Sequence, residues 1–586
     1  MPRLSRSTWF FIAAVVLTAV QFVTFGVIAN FLGSVTRLII VGILSSFVVL
    51  SPYLFIRPAW RRTVWIPLVL IMLVDVTETL YERQFGAFYS CDAITSDIFD
   101  PMVIGGAIDL MKQTDWMIVL PTLVALILYC LWRRDILTHR YTARFKWLAL
   151  AAVVTILSAY LATVVVRMHN ERKSLSEQEQ FTFVEQLNRG PRLQDFSIEK
   201  GVIGTIQYIV RNLSEYLADN VQPLSDVEKT EIKELIRSSC QPIDTAFSSA
   251  VSANRGKNLI VIIVESLNNS VIEKNGLYGC APYLASLAAD SGVIYAPRVL
   301  CQAGVGWSAS GQLMINSGLL PTLEFNFTYR YSVADYPSLS KALGYEESAE
   351  FICETKYFYR HGATNKSFGY KHLYYELHGQ NTDRDSVMLG YAVATVRDMP
   401  QPFLATLTTL RSHQPYKAPQ MLYDNDMLTA LPESGQSYAC KIHDTDEDIS
   451  LFINDLRASG IYDNTVIAII GDHVAPHAVM KSPELDDLYV PLIVLNSGIT
   501  LRYDDVIGQV DVFPTLLDVM GVGDYVIPQT GEPYRGLGRS ILSVNPPRGA
   551  VDAHGKAFPN DSIDRTRLDQ AWRLSERAIT SRFFKP

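Results

Sequence analysis

Leu259-Ile-Val-Ile-Ile-Val264 runs without a break into Glu265, and Thr465-Val-Ile-Ala-Ile-Ile470 runs into Gly471-Asp472-His473. Neither stretch alternates apolar with polar residues, and each stops abruptly at charged or metal-binding side chains. Such runs mark strands buried on both faces, the pattern of a parallel sheet covered by helices. Pro402-Phe-Leu-Ala-Thr-Leu407, ahead of Ser412-His413, and Pro491-Leu-Ile-Val-Leu495 read the same way. Between them, residues 448–459 have helical periodicity and end on Gly460, a C-terminal stop. Strand alternating with helix predicts an α/β domain, mostly parallel sheet with helices on both faces. Ligands of such sheets sit at the carboxyl ends of the strands, which is where Glu265, Asp472 and His473 stand.

A hydroxyl comes from Gln302-Ala-Gly-Val-Gly-Trp-Ser-Ala-Ser-Gly311. Its glycines allow backbone to approach a ligand closely. Either Ser308 or Ser310 could serve as a nucleophile once a base or metal activates it. Because position 310 is Ser, the loop is not a Gly-x-Ser-x-Gly elbow.

The rest of the chain is membrane-like. Of 586 residues, 49 % are hydrophobic and 19 % charged, too apolar for a wholly soluble enzyme. Five stretches, at about 9–31, 38–56, 64–81, 116–132 and 147–166, approach or reach the ~20 residues that cross a bilayer as a helix. The first reads as a retained anchor rather than a cleaved signal. With the N-terminus inside, Arg3, Arg6, Arg57, Arg61, Arg62, Arg133, Arg134, Arg140, Arg144 and Lys146 are cytoplasmic, against Arg37, Arg83 and Lys112 outside. That bias fixes the orientation, and five spans carry everything after about residue 168 to the external side of the cell membrane. Asp75 and Glu78, near the outer end of the third stretch, are expected among the headgroups. Residues 203–213 space their apolar side chains as a helix packed on the next domain or lying on the membrane surface.

The expected organisation is a five-span anchor (1–167), a helical linker at the membrane surface (168–250), a catalytic domain (251–545) and a polar tail without a readable motif (546–586). Residues 1–167 carry a net charge of +5 and the remainder −13, which argues against nucleic-acid binding. Cys130 lies in the fourth stretch. Cys91, Cys240, Cys280, Cys301, Cys353 and Cys440 would be external, either paired in an oxidising compartment or present as buried thiols.

Taken in order, Val264-Glu265-Ser266, Gly306-Trp307-Ser308, Asn316-Ser-Gly-Leu-Leu-Pro321, Ser412-His413, Gly471-Asp472-His473 and Val510-Asp-Val-Phe-Pro-Thr515 resemble the sulfatase-like branch of the alkaline phosphatase superfamily. The resemblance is to membrane-anchored lipoteichoic acid synthases and phosphoglycerol transferases, with phosphoethanolamine transferases more distant. It implies that Glu265, Asp472, His473 and Ser308 ligate one divalent metal, with Mn²⁺ favoured over Mg²⁺ or Zn²⁺. Ser308 would be the nucleophile and His413 a contact to the substrate phosphate or leaving group. Tyr359, Arg360 and His361 would contact the headgroup, and His477 would serve the phosphate or a second metal. Thr is usual where this chain has Ser308, which keeps an alcohol. Neither Cys301 nor Ser308 is followed by the x-Pro-x-Arg of sulfatases, so sulfate-ester hydrolysis is not expected.

The implied activity is transfer of phosphoglycerol or phosphoethanolamine from a membrane phospholipid to an envelope glycan or glycolipid, through a phospho-serine. The competing readings are a phosphodiesterase or phosphatase of the same fold, a metal-free serine hydrolase, and an inactive membrane-anchored sensor. A transporter fits poorly, since paired repeats are lacking.

Overall fold

A computed structural model describes residues 4–28, 35–85, 110–174 and, with a few short gaps, 223–585. The chain divides into two compact units, the first drawn from the N-terminal helices and the second holding essentially everything from residue 219 onward.

In the first unit, α1 (Arg6–Ile28), α2 (Val35–Leu50), α3 (Trp65–Phe85), α4 (Trp116–Thr138) and α5 (Ala143–Ser174) are helical. Among the described residues, four helical stretches are long and apolar enough to cross a membrane: Arg6–Ile28, Leu38–Phe55, Pro58–Leu80 and Gln113–Thr138. The fifth expected stretch, 147–166, falls within α5, which is not among these four. On α1, Trp9, Ile12, Val16 and Val20 are exposed at helical spacing while Phe10, Phe11, Ala14 and Phe22 are buried. An apolar outer face beside a packed inner face is what lipid requires.

Asp75, expected among the headgroups, packs against neighbouring helices of this unit. It is buried, accepts a 2.7 Å hydrogen bond from Gln21 of α1, and Gln21 accepts one of 2.6 Å from Thr122 of α4. α1 thus supplies the carboxylate with a direct partner, and α4 holds that partner in place through Thr122. Glu78 is buried as well. Near the ends of α3 and α4, Arg83 and Asp115 form a buried two-point ion pair at 2.9 and 3.0 Å.

In the second unit, β1 (Asn258–Val264), β2 (Ile294–Leu300), β3 (Glu347–Ile352), β4 (His372–Tyr374), β5 (Phe403–Thr408), β6 (Thr465–Gly471), β7 (Tyr489–Leu495), β8 (Leu501–Arg502) and β9 (Ile507–Gly508) form one sheet. Its order is β4-β3-β5-β1-β6-β7-β2-β8, with β9 also on β2. Among these strands, β7 runs against both of its neighbours and the other pairings are parallel. β1 and β6 lie side by side at the centre, with Val264 opposite Gly471. Every residue of both strands is buried, as their unbroken apolar sequences require.

Leu259, Val261 and Ile263 face a core shared with α7 (Trp307–Ser317) and α10 (Val512–Val519). The alternate residues Ile260 and Ile262 are equally buried on the other face. There α8 (Ser386–Arg397) and α9 (Glu433–Ser459) pack on one another.

The core extends beyond residues 251–545. α6 (Asp226–Ser239), from the expected linker, contributes Ile232, Leu235 and Ile236. α11 (Arg565–Thr580), from the expected tail, contributes Trp572, Leu574, Ala578 and Ile579. These amphipathic helices clasp one another through Arg577–Glu228 (2.7 Å) and Arg573–Glu231 (2.8 Å). Residues 203–213 lie outside the described residues, as does Cys91; the six described cysteines are all free thiols.

Candidate metal centre

The parallel register of β1 and β6 sets the first two groups. Since Val264 is opposite Gly471, the residues next after each strand, Glu265 and Asp472, emerge together at the carboxyl edge. Gly311 brings in the third element. A side chain there would collide with the Asp472 backbone, its Cβ only 2.9 Å from the Asp472 Cα, so glycine lets α7 close onto the tip of β6. That docking delivers Ser308, at the start of α7, to the two carboxylates.

The resulting contacts are short. Ser308 Oγ donates to Glu265 Oε2 at 2.9 Å and lies 3.1 Å from His473 Nε2. His473 Nε2 is 3.3 Å from Glu265 Oε1 and 3.6 Å from Asp472 Oδ2. His473 Nδ1 faces the Val474 carbonyl at 2.9 Å, so Nδ1 carries a proton and Nε2 is turned inward toward the two carboxylates. Asp472 Oδ1 accepts from the backbone N–H groups of Ser266 and His473, whereas its Oδ2 is buried without a hydrogen-bond partner. Ligand atoms of Glu265, Asp472 and His473 all lie within 4.8 Å of one another.

Electrostatically the cluster is mismatched. Burial pushes the Asp472 carboxyl up to about 8, and the neighbouring Glu265 charge adds to the effect. Burial alone would lower His473, but Asp472 and Glu265 hold its imidazole up at about 9. Burial likewise opposes ionisation of Glu265, yet the His473 charge beside it keeps that carboxyl well below the usual range. Two buried carboxylates sharing one imidazole are left partly unbalanced. A divalent cation would supply the missing charge and a partner for Asp472 Oδ2, and the donor set of two carboxylates, one imidazole and one hydroxyl fits such an ion.

Several residues at this site carried no assigned role in the sequence. Ser266 has φ of 52° and donates to Glu265 Oε1 at 2.6 Å. Thr409, just beyond β5, accepts from the Glu265 N–H at 3.0 Å. Gln509 donates to the Asp472 carbonyl at 2.6 Å. Trp307, immediately before Ser308, has φ 41° and ψ −121°, a region that residues with side chains seldom occupy. Its ring meets His473 edge-on at 4.7 Å. A strained backbone next to a candidate nucleophile is the one signal no residue pattern could carry.

Ser308 rather than Ser310 joins the cluster, Ser310 being buried within α7. His413 lies beyond β5, the neighbour of β1 opposite β6, and acts electrostatically on Glu265. Its Nδ1 faces the Gln414 carbonyl at 2.6 Å, which leaves Nε2 free as a proton acceptor, and burial lowers its affinity for protons. Tyr359 and Arg360 form a left-handed turn after β3, and His361 opens the next short helix, buried, with burial pushing its imidazole down to about 4. His477 is exposed and pairs with Asp486 at 2.5 Å.

The family model described as Sulfatase matches residues 257–522. That stretch is a sulfatase-family domain. Lipoteichoic acid synthase 2 of Bacillus subtilis is 27 % identical over 360 residues, 56 % of this chain and 53 % of that protein. Lipoteichoic acid synthase of Staphylococcus aureus is 27 % identical over 305 residues, 45 % of each chain. The chain thus spans about half the length of the curated relatives it matches. Among solved structures, the integral membrane lipooligosaccharide phosphoethanolamine transferase A of Neisseria meningitidis matches with a TM-score of 0.50 at 12 % identity, covering 88 % of this chain and 95 % of that one. That likeness is one of fold. Sulfatase-family enzymes use a divalent metal; among the described residues, Glu265, Asp472 and His473 form a buried group that could hold one, and His443, Asp444 and Glu447 a more exposed one.

Proposed function

We propose that this protein transfers a phospho-headgroup, phosphoglycerol or phosphoethanolamine, from a membrane phospholipid to an envelope glycan or glycolipid. The observation that carries the reading is the Ser308 hydroxyl held at 2.9 and 3.1 Å from Glu265 and His473 beside the unpartnered Asp472 oxygen. Glu265, Asp472, His473 and Ser308 would hold one divalent metal, with Mn²⁺ favoured. Such an ion neutralises phosphoryl oxygens and lowers the pKa of an alcohol beside it.

The chain's own groups then do the rest. Ser308 Oγ bonds to phosphorus as the bond to the diacylglycerol oxygen breaks, and its proton passes by way of the neutral His413 Nε2 to that departing oxygen. An acceptor hydroxyl, deprotonated by His413, displaces Ser308 in the second step, and His413 hands that proton to the released Ser308 oxygen. Two displacements predict ping-pong kinetics. In this reading the apolar stretch 147–166 is a fifth membrane crossing, and the catalytic domain stands on the external side, where its donor lipid is.

Intact-mass measurement of the full chain in detergent, incubated with single phospholipids, tests this. One headgroup's mass added to wild type and absent from Ser308→Ala is the expected result. No adduct with any phospholipid would overturn the reading, and release of free headgroup phosphate without an acceptor product would replace transfer with hydrolysis.

A further inference from the structure

Deep in the sheet, the middle of β3 carries a carboxylate that the metal centre does not use. Glu350 is buried to 1 % exposure, and neither of its oxygens has a hydrogen-bond partner. It lies in register with Thr406 of β5, so both side chains share one face, and Thr408, two residues on, shares it too. The Thr408 hydroxyl, the Asn365 amide and the Tyr375 hydroxyl are also buried and unpartnered.

These groups belong to one region. Leu373 of β4 lies opposite Glu350, so Tyr375, two residues on, shares that face, and the Tyr375 hydroxyl is turned toward the Asn365 amide without a hydrogen bond of full geometry. Tyr370 closes the wall, its hydroxyl bonded to Asn316 (2.5 Å) and Thr406 (2.7 Å). Five buried oxygens therefore lack partners: two from Glu350 and one each from Asn365, Thr408 and Tyr375. Leaving buried polar atoms unsatisfied is costly, so these groups call for a shared partner. Among the described residues no charged group stabilises the Glu350 carboxylate; burial alone acts on it, pushing it up to about 8.

An all-oxygen set with a single carboxylate has a definite preference. Hard cations take oxygen ligands, and one negative charge is balanced by one positive charge. A divalent ion would leave a buried excess, which is costly. We propose that this region binds a monovalent cation, an alkali or ammonium ion, with Glu350 as its charge partner and Asn365, Thr408 and Tyr375 as neutral oxygen ligands. The ion ties β3 and β5 to the helix His361–Ser367 and to the segment after β4. The site is separate from the cluster at residues 265, 308, 472 and 473, and its test does not rest on the transferase reading.

The test is thermal unfolding of the full-length protein in detergent, in potassium chloride against N-methyl-D-glucamine chloride at equal ionic strength. Binding predicts a wild-type midpoint higher in potassium by about 2 °C or more, and no such difference in Glu350→Gln. Equal wild-type midpoints in the two salts, or a potassium shift that survives in Glu350→Gln, would overturn the proposal in favour of a protonated carboxyl solvated by buried water. Should Glu350→Gln fail to fold, Thr408→Val carries the test, with a potassium half-saturation raised at least tenfold expected and an unchanged one contradicting. Thallium(I), a potassium substitute, should give an anomalous scattering peak against the Glu350 carboxylate in crystals, and its absence there would contradict the assignment.

Discussion

Two sets of buried carboxylates in the second unit are built on opposite terms. In the clasp between α6 and α11, Glu228 meets Arg577 at 2.7 Å and caps its own helix through Ser225. Burial there would raise its carboxyl, yet Arg577 and Ser225 hold it down at about 2. At the tips of β1 and β6, Glu265 and Asp472 share a single imidazole, and one buried oxygen has no partner. The clasp is matched and serves the fold. The tips are mismatched in the absence of a cation, and the fold sustains that mismatch only because β1 and β6 are anchored along their whole length. Unresolved charge in a well-built core marks chemistry, whereas resolved charge marks structure.

The contrast breaks most visibly at Asp472. Asp472→Asn removes the like-charge conflict, so turnover falls on the order of 10³-fold or more while metal-free protein becomes more stable by about 1 kcal/mol. Assay of headgroup transfer beside thermal unfolding in chelator checks both signs, and a loss of stability would place Asp472 with the matched groups. Trp307 sharpens the same point through the backbone. Trp307→Gly relieves a strained conformation worth about 1–3 kcal/mol but loses the ring against His473. We expect turnover about tenfold lower with KM nearly unchanged, and recovery of most of it in Trp307→Phe. A Trp307→Phe variant as slow as the glycine one would refute a positioning role for the ring.

The clasp gives the smallest effect and a pH signature. Because the folded Glu228 carboxyl sits at about 2 and the unfolded one near ~4.3, the unfolded chain binds more protons between those values. Its contribution is full above about pH 5 and drains as pH falls toward 2. Glu228→Gln should cost about 1.5 kcal/mol at pH 7, with the gap to wild type closing in acid. A gap independent of pH would show that the pairing contributes nothing specific.

The parts of the molecule legible in sequence are those whose information is local. The central strands could be read because burial on both faces forces unbroken apolar runs such as 259–264 and 465–470, and a parallel sheet places the residues beyond them at one edge. Ser308 could be narrowed to a loop by its glycines, and to one hydroxyl only through the family likeness. The clasp was missed because α6 and α11 are polar on their outer faces and meet across more than three hundred residues of sequence. The partners of Asp75 were not legible because hydropathy registers its charge but not Gln21 and Thr122, which arrive from other helices. Trp307 and Glu350 left no trace in pattern at all: one is defined by a dihedral angle, the other by partners it lacks.

The central claim is that Ser308, Glu265, Asp472 and His473 surround one bound cation. Elemental analysis of the purified full-length protein, freed of adventitious metal and reloaded with Mn²⁺, tests it most directly. One equivalent per chain in wild type, lost in Asp472→Asn and in His473→Ala, is what the geometry predicts. Metal absent from wild type, or retained in full by both variants, would contradict it.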